Sequence, residues 1–330
     1  MATTHHIYWW NLENLFDVLN SPRRPEWFQK VIKGELKGWT EDVLDQKIHN
    51  LCSIIKQMNG GLGPDILGVC EIENEFVVKK LMDKVGAEIG RNYTVLHKDT
   101  KDQRGIDIAI IYDADLYTDD GHIFSLEIMK RAATRDLFQV NLTTKGGGNE
   151  LILIGNHWPS RLGGKFESEP YRIMVAEILS YWVSRIHEIK KEERHDDNPP
   201  ILIMGDFNDQ PYDRSITDYL NSTSNLERVK NARTPVLFNT MFPFLDGKLG
   251  THVFGNEINI LDQFIVSKSL TVDAADYPFH FISSKIFQLP GMTKGDYNTP
   301  VRFSRPSEES SFNPNGYSDH LPIELLLEEK

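Results

Sequence analysis

The sequence predicts an α/β fold built as one continuous unit, with two sheets packed face to face and helices outside. Two observations predict it. Short apolar runs separated by Gly, Pro, Asn and Asp recur along the whole chain, and only a few segments between them carry a helical period. No linker with the length or composition of a boundary interrupts the series, so residues 1–330 read as a single domain.

HIYWWNL (6–12) reads as the first strand. In 41–58, Val43, Leu44, Ile48, Leu51, Ile54, Ile55 and Met58 fall near a 3.6 period, an amphipathic helix ended by GGLGP. DILGVCEI (65–72) is a buried-type strand and EFVVKKLMDKVGAEI (75–89) a second helix. NYTVLHKD (92–99), IDIAIIYD (106–113), FQVNLTTK (138–145) and ELILIGNHW (150–158) read as strands. The glycines at 146–148 make the last two a hairpin. Residues 170–193 form a long amphipathic helix with Pro170 in its first turn, and 194–200 a loop. ILIMGDFND (201–209), LDQFIVS (261–267) and LPIELLL (321–327) are the remaining strands, and 285–316 reads as a long surface loop leading into the last of them.

The chain has 330 residues, 40% hydrophobic and 25% charged, an ordinary balance for a globular protein. Its formal charge of −12 argues against holding polyanions by a broad basic surface. A phosphate substrate stays compatible with it, because a divalent cation supplies positive charge locally. Cys52 and Cys70 fit no zinc pattern and read as buried thiols. No run suits a membrane span, and the start lacks a signal peptide's features. The expectation is a cytoplasmic monomer without membrane contact, or a secreted or periplasmic one if a leader was removed. NLT (141–143) and NST (221–223) are read as chance matches to glycosylation sequons.

Polar residues collect at strand ends, where a rigid support holds them. In ILIMGDFND, Asp206 and Asn208 should face one cavity and Phe207 the other side, since residues i and i+2 share a face. An acid beside an amide suits hydrolysis: one takes a proton from water, the other donates to an oxyanion. An Asx-turn ending the strand is the competing account. Glu71 ends DILGVCEI and suits a hard cation such as Mg²⁺ or Mn²⁺; Glu73 fits better as an acid near the following helix. Asn11 follows three aromatics at a strand end, with Asn14 as its competitor. His157 ends a strong strand, Asn156 points the other way, and Arg161 and Arg172 follow at spacings that suit an anion site or plain surface charges. Asp262 lies inside an apolar strand and needs a partner, for which His320 in SDHLP is the candidate. Arg104 and Asp107 stand at the mouth of another strand.

Taken together, WNLENLF (10–16), LGVCEIEN (67–74), GIDIAIIY (105–112), GNHWPSR (155–161), ILIMGDFND, ILDQFIVS (260–267) and YSDHLPIEL (317–325) resemble the endonuclease/exonuclease/phosphatase family. The NHWPSR form looks like a bacterial branch of it. The resemblance implies a four-layer α/β sandwich, two mainly antiparallel mixed sheets with helices on the outer faces. It implies a Mg²⁺- or Mn²⁺-dependent phosphoesterase in which Glu71, with Asn11 beside it and Asp319 assisting, holds the metal. Asp206 would orient or deprotonate the attacking water, Asn208 stabilise the oxyanion, Asp262 pair with His320, His320 contact the phosphate, and His157 bind the phosphate or help the leaving group. Arg104 and Asp107 fit the family pattern loosely, and either could support His157.

The first expectation is a phosphodiesterase, nuclease-like or acting on a small diester. A phosphomonoesterase on a sugar, inositol or nucleotide phosphate is the alternative, and a catalytically silent phosphate-binding module a third. The segments 22–40 and 285–305 hold the Arg, Lys, Trp and Phe that a nucleic-acid grip needs, although such loops are also common elsewhere. Asp319 and His320 are neighbours, so an extended chain would send them to opposite sides. Both can serve one site only if the SDH segment is kinked.

Overall fold

The first strand, β1 (Thr3–Leu15), lies in the middle of one sheet because nearly every residue from Ile7 to Leu12 is apolar and fully buried. The computed structural model describes residues 2–32, 36–100, 104–128, 136–304 and 312–330. On one side β1 pairs parallel with β2 (Ile66–Ile72), and on the other antiparallel with the last strand, β17 (Ile323–Glu329). β4 (Asp107–Asp113) and β3 (Tyr93–His97) extend the sheet beyond β2, and β14 (Phe279–Ile286) closes it beyond β17.

The second sheet runs β5 (Tyr117–Leu126), β6 (Leu137–Thr144), β7 (Glu150–His157), β8 (Ile201–Asp206), β13 (Asp262–Val266), β10 (Leu237–Asn239) and β9 (Ser222–Thr223). Two small hairpins, β11 (His252–Phe254) with β12 (Glu257–Asn259) and β15 (Thr293–Lys294) with β16 (Thr299–Pro300), lie outside both sheets.

Alternation along the strands builds the layers. Leu153 of β7, Met204 of β8 and Phe264 of β13 point to the other sheet, while Ile154, Ile203 and Ile265 point to α4 (Lys165–Arg194). The sheets meet closely at Gly68: a Cβ there would come within 2.5 Å of Trp9 and 2.8 Å of the Met204 sulfur. α2 (Glu41–Ile55) and α3 (Glu75–Ile89) cover the outer face of the first sheet. Thr40 and Asn74 cap them by accepting from the N–H groups of Val43 and Val77. The architecture is the helix–sheet–sheet–helix sandwich expected. Cys52 and Cys70 are both buried and are not disulfide-bonded. Among the described residues no helix is long and apolar enough to cross a membrane.

The differences have local causes. α4 starts at Lys165, so Pro170 stands past its first turn. The five added residues include Phe166, which is exposed, and the apolar pattern alone could not place the start there. β5 and β14 escape pattern reading because Asp119–Asp120–Gly121 and Ser283–Ser284 break their alternation, and both pairings carry register shifts. The expected long loop 285–316 begins inside β14, carries the β15–β16 hairpin, and includes 305–311, which lie outside the described residues. In the 22–40 segment, residues 33–35 likewise lie outside them. Its short helix α1 (Glu26–Ile32) buries Phe28 and Ile32 against Phe16, Trp39 and Phe303. Arg23 is ion-paired with Asp17 and Arg24 with Glu73, so these two arginines are spent on the fold.

Candidate active site

All the strands that carry candidate residues bring them to one end of the sandwich. β1, β2, β7 and β8 end there, and β13 and β17 begin there, because the latter run antiparallel to their neighbours. The registers pair Asp206 with both His157 and Asp262. A cavity of about 770 Å³ opens at this end. Glu71, His157, Asp206, Asn208, Asp319 and His320 line it.

Four residues here leave the normal backbone region: Glu13 (φ 51°), Asn14 (φ 61°), Glu71 (φ 60°) and Asn208 (φ 51°). A left-handed conformation costs a non-glycine residue roughly 1–2 kcal/mol, and such costs gather where a side chain must be re-aimed. β1 slips register between Asn11 and Leu15, and β2 between Cys70 and Ile72, so bulges turn Glu13 and Glu71 toward the cavity. Neither bulge is written in the alternation. Asp206 and Asn208 satisfy both accounts of their motif. The Asn208 N–H donates to Asp206 Oδ1 at 2.9 Å, an Asx-turn, and both side chains still face the cavity while Phe207 is fully buried.

His320 Nδ1 lies 2.7 Å from Asp262 Oδ2, and Asp262 Oδ1 accepts from Trp9 Nε1 at 3.1 Å. His320 Nε2 points to Asp206 Oδ2 at 3.8 Å. Burial alone would lower the imidazole's pKa, but Asp262 and Asp206 outweigh it and hold the ring protonated well above its usual range. Burial, with Asp262 nearby, pushes Asp206 up to about 6; His320, the Asn208 N–H and Asn11 act the other way. Burial, then the charges of Glu13 and Glu71, pushes Asp319 up to about 7, although its side chain keeps 30% exposure at the cavity. The SDH segment is kinked: Ser318 Oγ donates to the Asn11 carbonyl and accepts the His320 N–H, and Asp319 and His320 reach the same cavity.

Asn11 sits just behind the lining. Its Nδ2 donates to Asp206 Oδ2 at 3.1 Å, and its Oδ1 accepts from the Glu13 N–H and keeps a second lone pair. His157 Nε2 stands 3.7 Å from Glu71 Oε1 and 3.8 Å from Asp206 Oδ2. Asn156 turns away, accepting from Trp158 Nε1. Glu73 is buried in a two-pronged ion pair with Arg24 and plays no part in the cavity.

The basic candidates divide. Arg104 lines the cavity, donating to Asn14 Oδ1 at 3.0 Å and approaching Glu71. Arg161 also lines it but is committed to the Asn208 carbonyl, Asn259, Asp209 and Asp213. Arg172 and Asp107 correct the sequence reading. Arg172 is fully buried in an ion pair with Asp209 at 2.8 Å, so it braces the loop after β8 and cannot meet a substrate. Asp107 is buried outside the cavity, taken up by Thr100 and facing His97, so it does not support His157.

Sequence reasoning missed three contributors. Glu13 is buried and ties down 302–304, accepting from Arg302 Nε at 2.8 Å and from the Phe303 and Ser304 N–H groups. It stood in view in WNLENLF, hidden by its two asparagine neighbours. Lys47, fully buried under the site, donates to the carbonyls of Glu13 and Tyr317. Burial lowers its pKa to about 8 against the opposing pull of Glu13, Asp319 and Glu71. His252 packs its ring 4.7 Å from that of His320; burial, then the charge of His320, pushes it down to about 3, so it stays neutral.

No curated protein sequence matches the chain. Solved structures share its fold. An endonuclease/exonuclease/phosphatase family protein from Bacteroides thetaiotaomicron superposes with a TM-score of 0.58 at 14% identity, covering 100% of this chain and 99% of that one. The mannosyl-6-phosphatase of the same organism gives 0.55 at 14% identity, over 98% and 99%. The human Nocturnin catalytic domain with bound sulfate gives 0.56 at 14% identity, over 99% and 95%. A sequence model of one family matches residues 6–329, and the chain belongs to it: the Endonuclease/Exonuclease/phosphatase family of hydrolases acting on phosphoester bonds.

Proposed function

We propose that this protein is a divalent-metal-dependent phosphodiesterase, acting on a nucleic-acid-like or small diester. The observation that carries the reading is the chain Asp262–His320–Asp206 under the cavity, with a protonated imidazole next to a carboxylate. In this reading water adds to phosphorus, Asp206 takes its proton, and the ester oxygen leaves. A carboxylate that titrates near 6 is mostly ionised at neutral pH and is a competent base. His320 meets the phosphoryl oxygens as charge builds on them, with Asp262 fixing its tautomer. One N–H of the Asn208 amide is given to the Trp158 carbonyl, and the other is left for the oxyanion. His157 lies across the cavity floor, within reach of the phosphate or the leaving group.

The donor set fits a hard cation. Among the described residues Glu71 Oε1 makes only long contacts to His157 and Arg104, and Asp319 is crowded by two other carboxylates. Glu71, Asp319 and the second lone pair of Asn11 Oδ1 would hold Mg²⁺ or Mn²⁺. When bound, the cation supplies positive charge that favours an anionic substrate in an acidic pocket. Arg104 at the rim suits the substrate's outer oxygens, and Arg161 acts through the Asn208 carbonyl it holds.

A phosphomonoesterase is the second reading. Glu257 on the cavity wall suits sugar hydroxyls, and one protein of this fold is a mannosyl-6-phosphatase. Purified protein with Mg²⁺ or Mn²⁺, screened over chromogenic mono- and diesters, nucleic acids, nucleotides and sugar phosphates, separates the two. Diester cleavage that Asp206→Asn abolishes is expected. Activity retained in that variant would sink the assignment of the site, and monoester cleavage alone would favour the second reading.

A further inference from the structure

His97, Asp99 and Asp107 form a second group of ligand atoms, and none of them lines the catalytic cavity. The side chain of His97, at the end of β3, is 4% exposed, yet among the described residues its Nε2 has no hydrogen-bond partner. A buried polar atom left this way is destabilising and calls for an account. Nε2 points at two carboxylates, 3.5 Å from Asp107 Oδ2 and 4.0 Å from Asp99 Oδ1. Those are ion-pair distances, longer than an ordinary hydrogen bond. They approach the edges of a tetrahedron around a cation, which at metal–ligand lengths near 2.0–2.1 Å are about 3.4 Å. One ligand atom from each of the three lies within 4.8 Å of the others.

The surroundings are arranged as a ligand's should be. The Thr100 N–H and Oγ1 hold Asp107 Oδ1, which fixes the carboxylate and leaves Oδ2 facing His97. Asp99 is 83% exposed, so it provides an entry path and can swing the last few tenths of an ångström. The backbone is already paired, with His97 opposite Ala109 across β3 and β4.

We infer that His97 Nε2, Asp107 Oδ2 and Asp99 bind a divalent cation of the Zn²⁺ class, with water completing the shell. One imidazole and two carboxylates suit Zn²⁺ better than Mg²⁺, which prefers all-oxygen octahedra. The ion would clip together the two ends of the 97–107 connection. That connection carries Arg104, whose guanidinium reaches Asn14 and Glu71 at the catalytic cavity. The site is thus a staple for the cavity's rim.

The test is calorimetric titration of the chelator-treated full chain with Zn²⁺, run in a Glu71→Gln background that weakens the catalytic cavity's own claim on cations. One equivalent should bind to Glu71→Gln. His97→Ala added to it should abolish that binding. Asp99→Asn, at an exposed position where folding is not at stake, should weaken it at least tenfold. Co²⁺ in place of Zn²⁺ should give the visible absorption of a tetrahedral nitrogen–oxygen site. No binding to Glu71→Gln, or binding unchanged by both further substitutions, would overturn the inference. Neither result depends on phosphoesterase activity, so the proposed function stands or falls separately.

Discussion

Replacing Asp262 by Asn tests whether the buried pair works as a charge or only as a hydrogen bond. Asp262 is fully buried and accepts from two donors, His320 Nδ1 at 2.7 Å and Trp9 Nε1 at 3.1 Å. An amide has one oxygen to offer, so its NH₂ group must face one of those donors. Losing a partner of a buried pair costs about 3–5 kcal/mol of stability, which should appear as a lower urea midpoint. The charge matters more for catalysis. Asp262 is the largest of the influences that raise His320 against its own burial, so in the variant the imidazole gives up its proton more readily. A lost positive donor at the phosphoryl oxygens corresponds to about 2.7–4 kcal/mol, or two to three decades in kcat. The assay is kcat and KM from pH 5.5 to 8.5, with near-UV circular dichroism fixing the folded fraction. Loss should be largest at pH 8 and should shrink as acid recharges His320, a recovery capped near pH 6, where Asp206 takes up a proton. A fully folded variant with kcat within threefold of wild type at pH 8 would refute the reasoning.

Three further outcomes follow from the site and its supports. Asp206 and Asp319 both titrate above ordinary carboxylates, at about 6 and about 7, so between about pH 4 and 7 the folded protein holds protons that the unfolded chain has lost. The metal-free protein should therefore lose stability as pH rises through that window. Mg²⁺ or Mn²⁺ should restore it and bind more tightly at pH 8 than at pH 6, as calorimetry at both pH values will show; equal affinity at both would separate Asp319 from the cation. Arg172→Leu should lower stability by about 3–5 kcal/mol by leaving Asp209 buried and unpaired, with KM unchanged in the folded fraction; unchanged stability with a raised KM would return Arg172 to the substrate.

Much of this was legible because burial makes demands that a sequence can state. An acid inside LDQFIVS needs a partner, and the partner it finds is His320. Alternation along ILIMGDFND correctly separated Phe207 from its polar neighbours. What stayed hidden depends on backbone conformation or distant chain. Glu13 faces the cavity only because the backbone turns left-handed there, and no spacing announces that. Arg161 and Arg172 looked like an anion site by their distance from His157, yet acids some fifty and forty positions away, Asp213 and Asp209, claim them. Asp107 sits at the strand mouth as expected, but its carboxylate turns away from the cavity toward His97. The fold was easier because it rests on many apolar positions at once, whereas each site residue rests on one.

The pairing of β1 with β17 has a consequence for how the protein comes into being. Thr3 lies opposite Glu329, and the cavity needs both Glu13 from the start of the chain and His320 from near its end. Contacts that span more than three hundred positions are slow to form, since the loop must close before any contact rewards it. During folding, a strand as apolar as β1 has β2 on one flank and nothing on the other until β17 docks. That exposed edge invites misassembly and chaperone capture. It also means that the cavity stays incomplete until β17 docks and brings Asp319 and His320 to it.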